Sequence, residues 1–338
     1  MICWNVLGAD GGTECRNHGY LGNLKMTTLI LTHPSCVGHD PGAGHPESPA
    51  RLKAVLDGLE RWETSTAAPA GAITWVEAPL AERDKLLLVH GADHIDRVLQ
   101  AVPKRGTNYL DPDTGLSPET GDAALRAVGA ITAAVDAVIA GEAQNAFAAI
   151  RPPGHHAEPD SAMGFCLFNN AAIGATHAQR NHGLRRVAVV DFDVHHGNGT
   201  EAAFRDDDAL FFASSHQFPH YPGTGSGRDD SAHILNAPLV PGSGSGEFRA
   251  AWGRFLLPAL EQFAPELILI SAGFDAHRKD PLADINLDEA DFAWATEEIR
   301  TIAARCCAGR LVSTLEGGYD LAALVASAVA HVDVLARQ

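Results

Sequence analysis

"RRVAVVDFDVHHGNGT", residues 185–200, runs from a short apolar stretch into two aspartates, two histidines and an asparagine set among glycines. Val187–Val190 is apolar without alternation, as expected of a strand covered on both faces of a parallel sheet. The polar residues fall at its carboxyl end, where open α/β sheets hold their ligands. A strand continuing through Val194 would set Asp191, Asp193 and His195 on one face by period-two alternation. Carboxylates and an imidazole brought together call for a cation. Asp oxygen with His nitrogen suits Zn²⁺ or a similar divalent ion and leaves room for water. A helix-capping Asp cluster with surface histidines is the other reading of these residues, and this stretch alone leaves both open.

The same pattern recurs along the chain. Strands are predicted over 27–33, 73–78, 145–151, 186–194, 209–214, 266–273 and 310–317. Helices are predicted over 48–62 behind a Ser cap, 117–141 ending at Gly141, 169–183, 246–263 and 288–306. Alternation of this kind implies an α/β fold, a mostly parallel sheet with helices on both faces. "PGSGSG" (241–246) is short and reads as a surface loop, so no linker divides the chain. Regular structure begins near Met26, so 1–26 is expected to be a loosely ordered extension and 27–338 one domain.

Composition narrows the function. A net charge of −17 argues against nucleic acid, whose phosphates are met by Lys and Arg, and mildly favours cationic substrates. The six cysteines show no CxxC pair, and Cys306 and Cys307 are adjacent, which suits reduced thiols in the cytoplasm. The N-terminus lacks the form of a signal peptide, and no apolar run is expected to reach the ~20 residues that span a membrane.

Three further strand ends carry chemistry. In "SAGFDAH" (271–277), Asp275 follows a glycine and reads as a turn residue or as a third metal ligand beside an open coordination position. In "RPPGHHAEPD" (151–160), two prolines and Gly154 deliver His155 and His156 from a stiff loop, suited to acid–base chemistry or to a surface pair. In "TLEGGYD" (314–320), Gly317 and Gly318 let Tyr319 turn its hydroxyl towards a developing oxyanion, or leave it a loop aromatic.

Taken in order, "HDPGAGHPESPARL" (39–52), "RPPGHHA" (151–157), "MGFCLFNNAAI" (163–173), "VVDFDVHHGNGT" (189–200), "YPGTG" (221–225), "SAGFDAH" (271–277) and "EGGYD" (316–320) resemble the histone deacetylase family in its class II and bacterial branch. The resemblance spans about Thr27 to the C-terminal helix and implies a single-domain arginase–deacetylase fold with a sheet of about eight strands. It implies one Zn²⁺ per chain on Asp193, His195 and Asp275, with His155, His156 and Tyr319 catalytic. Asp191 would stand behind His155 and Asn198 behind His156, a neutral amide raising its imidazole less than a carboxylate would. Gly164 and Phe165 would grip an acyl-lysine stem opposite Tyr221 or Phe218, with Asp111 or Asp113 at the rim and Arg51 behind the site. A K⁺ or Na⁺ ion is implied at Asp191, Asp193, His195, Ser214 and Ser215. His196 has no assigned chemistry and reads as structural.

The activity implied is removal of acetyl or related acyl groups from ε-N-acyl-lysine of a peptide or protein, with small acetylated polyamines as the alternative substrate. Relatives preferring polyamines often place a carboxylate seven residues after the zinc Asp, where this chain has Leu282. A two-manganese ureohydrolase would need a second carboxylate in "GFDAH", which offers only Asp275, and a catalytically dead binding module would not retain every ligand. A homodimer or homotetramer is the expected assembly.

Overall fold

The computed structural model describes residues 27–228 and 230–337. The expected extension over 1–26 lies outside the described residues. Eight strands form the main sheet: β1 (Thr28–Thr32), β2 (Ile73–Glu77), β3 (Asn145–Ala148), β4 (Val187–Asp191), β5 (Leu210–Gln217), β6 (Ile234–Leu239), β7 (Leu267–Ala272) and β8 (Leu311–Leu315). All pairings are parallel, in the order β2-β1-β3-β8-β7-β4-β5-β6. β3, β4, β7 and β8 are buried at every residue, which is why their apolar runs do not alternate.

That order places the four motif-bearing strands side by side. The loops after β3, β8, β7 and β4 therefore open at the same edge of the sheet, carrying in turn the histidine pair, Tyr319, Asp275 and the Asp193–His195 segment. Local chemistry starts and stops the covering helices. Asn169 accepts from Ala172 N at the head of Asn170–His182, and Asp320 accepts from Ala323 N at the head of Leu321–Leu335. Gly141 and Gly183 close two helices in the left-handed conformation.

Several expectations are corrected. β4 ends at Asp191, so strand alternation does not bring Asp193 and His195 together. Ser48 precedes Pro49–Glu63 but makes no side-chain cap bond. The helix predicted over 246–263 is interrupted by a π-turn at Trp252–Leu256, next to Pro258, which has no N–H for the α-helical bond to Arg254. β6 was not predicted: Asn236 and Pro238 break its apolar run, and as an edge strand it tolerates the proline. The Ala-rich helix Thr120–Ala140 is long and apolar enough to cross a membrane by composition, contrary to expectation; here it is a core helix, mostly buried.

A buried ionic cluster ties the site loops to the scaffold from behind. Glu47, Arg51 and Arg151 are each 0% exposed. Glu47 pairs with Arg51 Nη1 at 2.9 Å and with Arg151 Nη2 at 2.6 Å. Arg151 also donates to the carbonyls of Cys36 and His39, both at 2.9 Å. Arg51 donates to Gly318 O at 2.5 Å and Glu316 O at 2.6 Å, clamping the loop after β8. Removing Glu47 would leave two guanidinium groups buried without their carboxylate. Glu47→Ala is expected to lose about 3–5 kcal/mol of stability, read as a lower urea midpoint at unchanged slope.

Candidate active site

The loop after β4 folds back on itself through its own carboxylates. Asp191 Oδ1 accepts from Asp193 N at 3.0 Å, and Asp193 Oδ1 accepts from His195 N at 2.9 Å. These short turns, rather than an extended strand, aim Asp193 and His195 at the loop after β7. There Asp275 Oδ1 accepts from Val194 N at 2.8 Å, locking the two loops together. Gly317 N, from the loop after β8, donates to Asp193 Oδ2 at 2.8 Å.

Asp193, His195 and Asp275 form a buried group able to hold a metal ion. His195 Nδ1 lies 3.0 Å from Asp193 Oδ1 and 3.2 Å from Asp275 Oδ2. Ligand atoms at zinc distance from a tetrahedral ion stand about 3.3 Å from one another, so the spacing fits. Asp275 Oδ2 is buried without a hydrogen-bond partner among the described residues, which leaves a lone pair for an ion. Burial opposes a proton on His195, yet the two carboxylates lift its imidazole to about 10, so this point draws positive charge that a divalent cation can supply. A second group, Asp136, His177 and His182, differs: both imidazoles meet Asp136 Oδ1 at 2.7 and 2.6 Å, the spacing of hydrogen bonds rather than of metal ligands.

The two histidines of the loop after β3 stand with ring centroids 4.0 Å apart and have unlike partners. His155 Nδ1 meets Asp191 Oδ2 at 2.9 Å, and His156 Nδ1 meets Asn198 Oδ1 at 2.8 Å. Burial disfavours a charge on either. For His155 the carboxylates of Asp193 and Asp191 overcome it and raise the imidazole to about 10. For His156, burial together with His155 and His195 holds the imidazole well below its usual range. The carboxylates thus favour a proton on His155, while burial and its neighbours disfavour one on His156.

Gly164, Phe165, Tyr221, Leu282 and Asp113 line one narrow pocket with His155, His156, His195 and Tyr319, and Pro153 joins them. The structure separates the paired alternatives. Tyr221, not Phe218, lines the pocket, its ring 5.1 Å from that of His156. Asp111 is the turn residue, accepting from Asp113 N and Thr114 N, while Asp113 reaches the pocket from a small hairpin, Asn108–Tyr109 with Gly115–Leu116. Gly164 has φ +54, and a Cβ there would meet His156 Cδ2 at 2.5 Å, so the wall passes directly over the histidine. Phe165 shares the left-handed region at φ 68. Arg51 lies behind, its guanidinium 4.8 Å from the centre of the Tyr319 ring.

Ser214 pairs with Asp191 across β4 and β5, its hydroxyl 2.9 Å from His216 Nδ1; Ser215 Oγ accepts from Trp252 Nε1. His196 is buried between Thr224 and Glu201, consistent with a structural role.

Sequence reasoning missed the supports. Asp280 accepts from Tyr319 N at 2.6 Å and from Leu282 N at 3.1 Å, coupling the tyrosine to the pocket mouth. Glu316 accepts from Gly154 N at 2.7 Å and from Ser271 Oγ at 3.1 Å; burial pushes its carboxyl up to about 7. His220 stacks on His195, centroids 5.2 Å apart. Glu316 lay inside a quoted motif, but Asp280 carries no local signal.

These groups reach one small volume from four adjacent loops, the arrangement that metal-assisted hydrolysis of a polarised bond requires. Residues 45–335 match the histone deacetylase domain. The chain is 40% identical to histone deacetylase 10, chloroplastic, of Oryza sativa subsp. japonica, over 88% of this chain and 71% of that one. It is 41% identical to the histone deacetylase-like amidohydrolase of Pseudomonas aeruginosa, over 85% of this chain and 74% of that one. The crystal structure of the HDA15 HD domain matches with a TM-score of 0.85 at 33% identity, covering 92% of this chain and 88% of that one. The chain belongs to the histone deacetylase family. Its activity is that of a histone deacetylase-like amidohydrolase, a hydrolase that removes acetyl groups.

Gly317 tests the metal group. A Cβ there would meet Asp275 Oδ2 at 2.0 Å and Asp193 Oδ2 at 2.6 Å. Gly317→Ala is expected to fold yet to lose about tenfold or more in divalent-metal affinity. Elemental analysis after dialysis against limiting zinc checks this; full metal content would show that the carboxylates part without cost.

Proposed function

We propose that this chain is a zinc-dependent deacetylase acting on ε-N-acyl-lysine of peptides or proteins. Asp193, His195 and Asp275 would hold the Zn²⁺, which when bound polarises the amide carbonyl and acidifies a water. His156, kept neutral, takes the water proton at Nε2 and later returns it to the leaving amine. His155, its proton favoured by the Asp191 carboxylate, supplies positive potential beside the developing oxyanion. Tyr319, held by the backbone bond to Asp280, donates its hydroxyl to that oxyanion. Phe165 and Tyr221 close on the apolar stem of the substrate, and Asp113 at the mouth accepts from substrate backbone amides. Asp191, Asp193 and His195, with oxygens of Ser214 and Ser215, are the proposed seat of a K⁺ or Na⁺ ion.

One observation carries the choice of substrate: Leu282 lines the pocket at the position where relatives that prefer polyamines often carry a carboxylate for the second ammonium. Asp113 in the same lining supports the second reading, an acetylpolyamine amidohydrolase. Turnover of an acetyl-lysine peptide should exceed that of acetylputrescine and acetylspermidine, and a chelator should abolish all three. Faster polyamine turnover would select the second reading. Chelator-resistant acetate release would overturn the zinc assignment. Tyr319→Phe is expected to lower kcat by about 10²–10³.

A further inference from the structure

Asn198 is the amide behind His156, and an amide can face its neighbour with either end. Here the choice is forced. Asn198 Nδ2 donates to Glu158 Oε1 at 2.7 Å, with Met163 Sδ at 3.4 Å and His156 O at 3.5 Å around it. Each of these is an acceptor. A flipped amide would set its oxygen against the Glu158 carboxylate at that same 2.7 Å, two acceptors in contact with no proton between them. The oxygen must therefore face His156 Nδ1, at 2.8 Å, and can only accept. The imidazole then carries its proton on Nδ1 and leaves the Nε2 lone pair free on the pocket side.

We infer that Glu158 is a positioning residue for the reaction: through the Asn198 amide it fixes the tautomer in which His156 is a base at Nε2. The inference rests on the proposed role of His156. Glu158 does not line the pocket and touches no reacting atom. Its backbone is held separately, Glu158 N donating to Ser161 O at 2.9 Å and Glu158 O lying 3.1 Å from His90 Nδ1, so the loop does not depend on the side chain.

The arrangement makes Asn198 and Glu158 interdependent. Asn198→Asp places a second carboxylate against Glu158, and the two cannot share that distance while both are charged. Asn198→Asp should therefore lower kcat by about tenfold or more. Adding Glu158→Gln supplies an amide that donates to the new carboxylate, which again accepts from His156 Nδ1. The double variant should recover to within about threefold of the parent. Glu158→Leu frees the amide and should lower kcat by about tenfold at unchanged KM and zinc content.

Two readouts keep the tests separate. Long-range ¹H–¹⁵N correlation on histidine-labelled protein should show His156 as the Nδ1–H tautomer in the parent and a mixture in Glu158→Leu, whatever the substrate proves to be. A single Nδ1–H tautomer persisting in Glu158→Leu overturns the inference. So does a double variant no more active than Asn198→Asp. A parent protein with the stated tautomer but no turnover of any acetamide would instead sink the proposed function and leave the positioning intact.

Discussion

Much of this structure answers to one constraint, the burial of several carboxylates at the ends of three adjacent strands, β8, β7 and β4. Asp191, Asp193, Asp275 and Glu316 are each 0% exposed, and Glu47 lies just behind them at 0%. Buried carboxylates persist only when hydrogen-bonded and matched by positive charge. Backbone N–H groups of Val194, His195, Gly154 and Gly317 supply part of the compensation. Arg51 and Arg151 neutralise the rear of the cluster. At the front, the His195 imidazole lies between Asp193 and Asp275, and the three together are able to hold a metal ion.

The same constraint separates the two adjacent histidines. Their rings are 4.0 Å apart, so a charge on one disfavours a charge on the other. Asp191 and Asp193 secure the proton on His155, and the neutral Asn198 amide does not secure a second on His156. Asn198, an amide rather than a carboxylate at the head of the helix Asn198–Phe204, leaves burial and the neighbouring His155 and His195 to keep the His156 imidazole low.

How much was legible follows from how local each cause is. The central strands announced themselves because burial on both faces leaves uninterrupted apolar runs, and the histidine pair, Asp275 and Tyr319 each follow such a run directly. β6 was missed because Asn236 and Pro238 break its pattern, and Pro238 is admissible only because nothing pairs beyond that edge among the described residues. The end of β4 was misjudged because "DFDV" keeps strand-like alternation, whereas the side chains of Asp191 and Asp193 cap their own backbone and turn the chain. Asp280 was invisible because the partners that tie it to the site, the N–H groups of Tyr319 and Asp320, are remote in sequence.

The sequence by itself determined the fold class and singled out the residues that the structure gathers at one pocket, since apolar period and motif spacing are properties of short segments. It also carried the family resemblance that assigned those residues their roles. Only the tertiary structure decided that Asp113 rather than Asp111, and Tyr221 rather than Phe218, reach the pocket. Only the fold set Glu158 against Asn198, and Arg51 against the Tyr319 loop. Those outcomes depend on strand order and on which loops share an edge of the sheet, and long-range packing sets both.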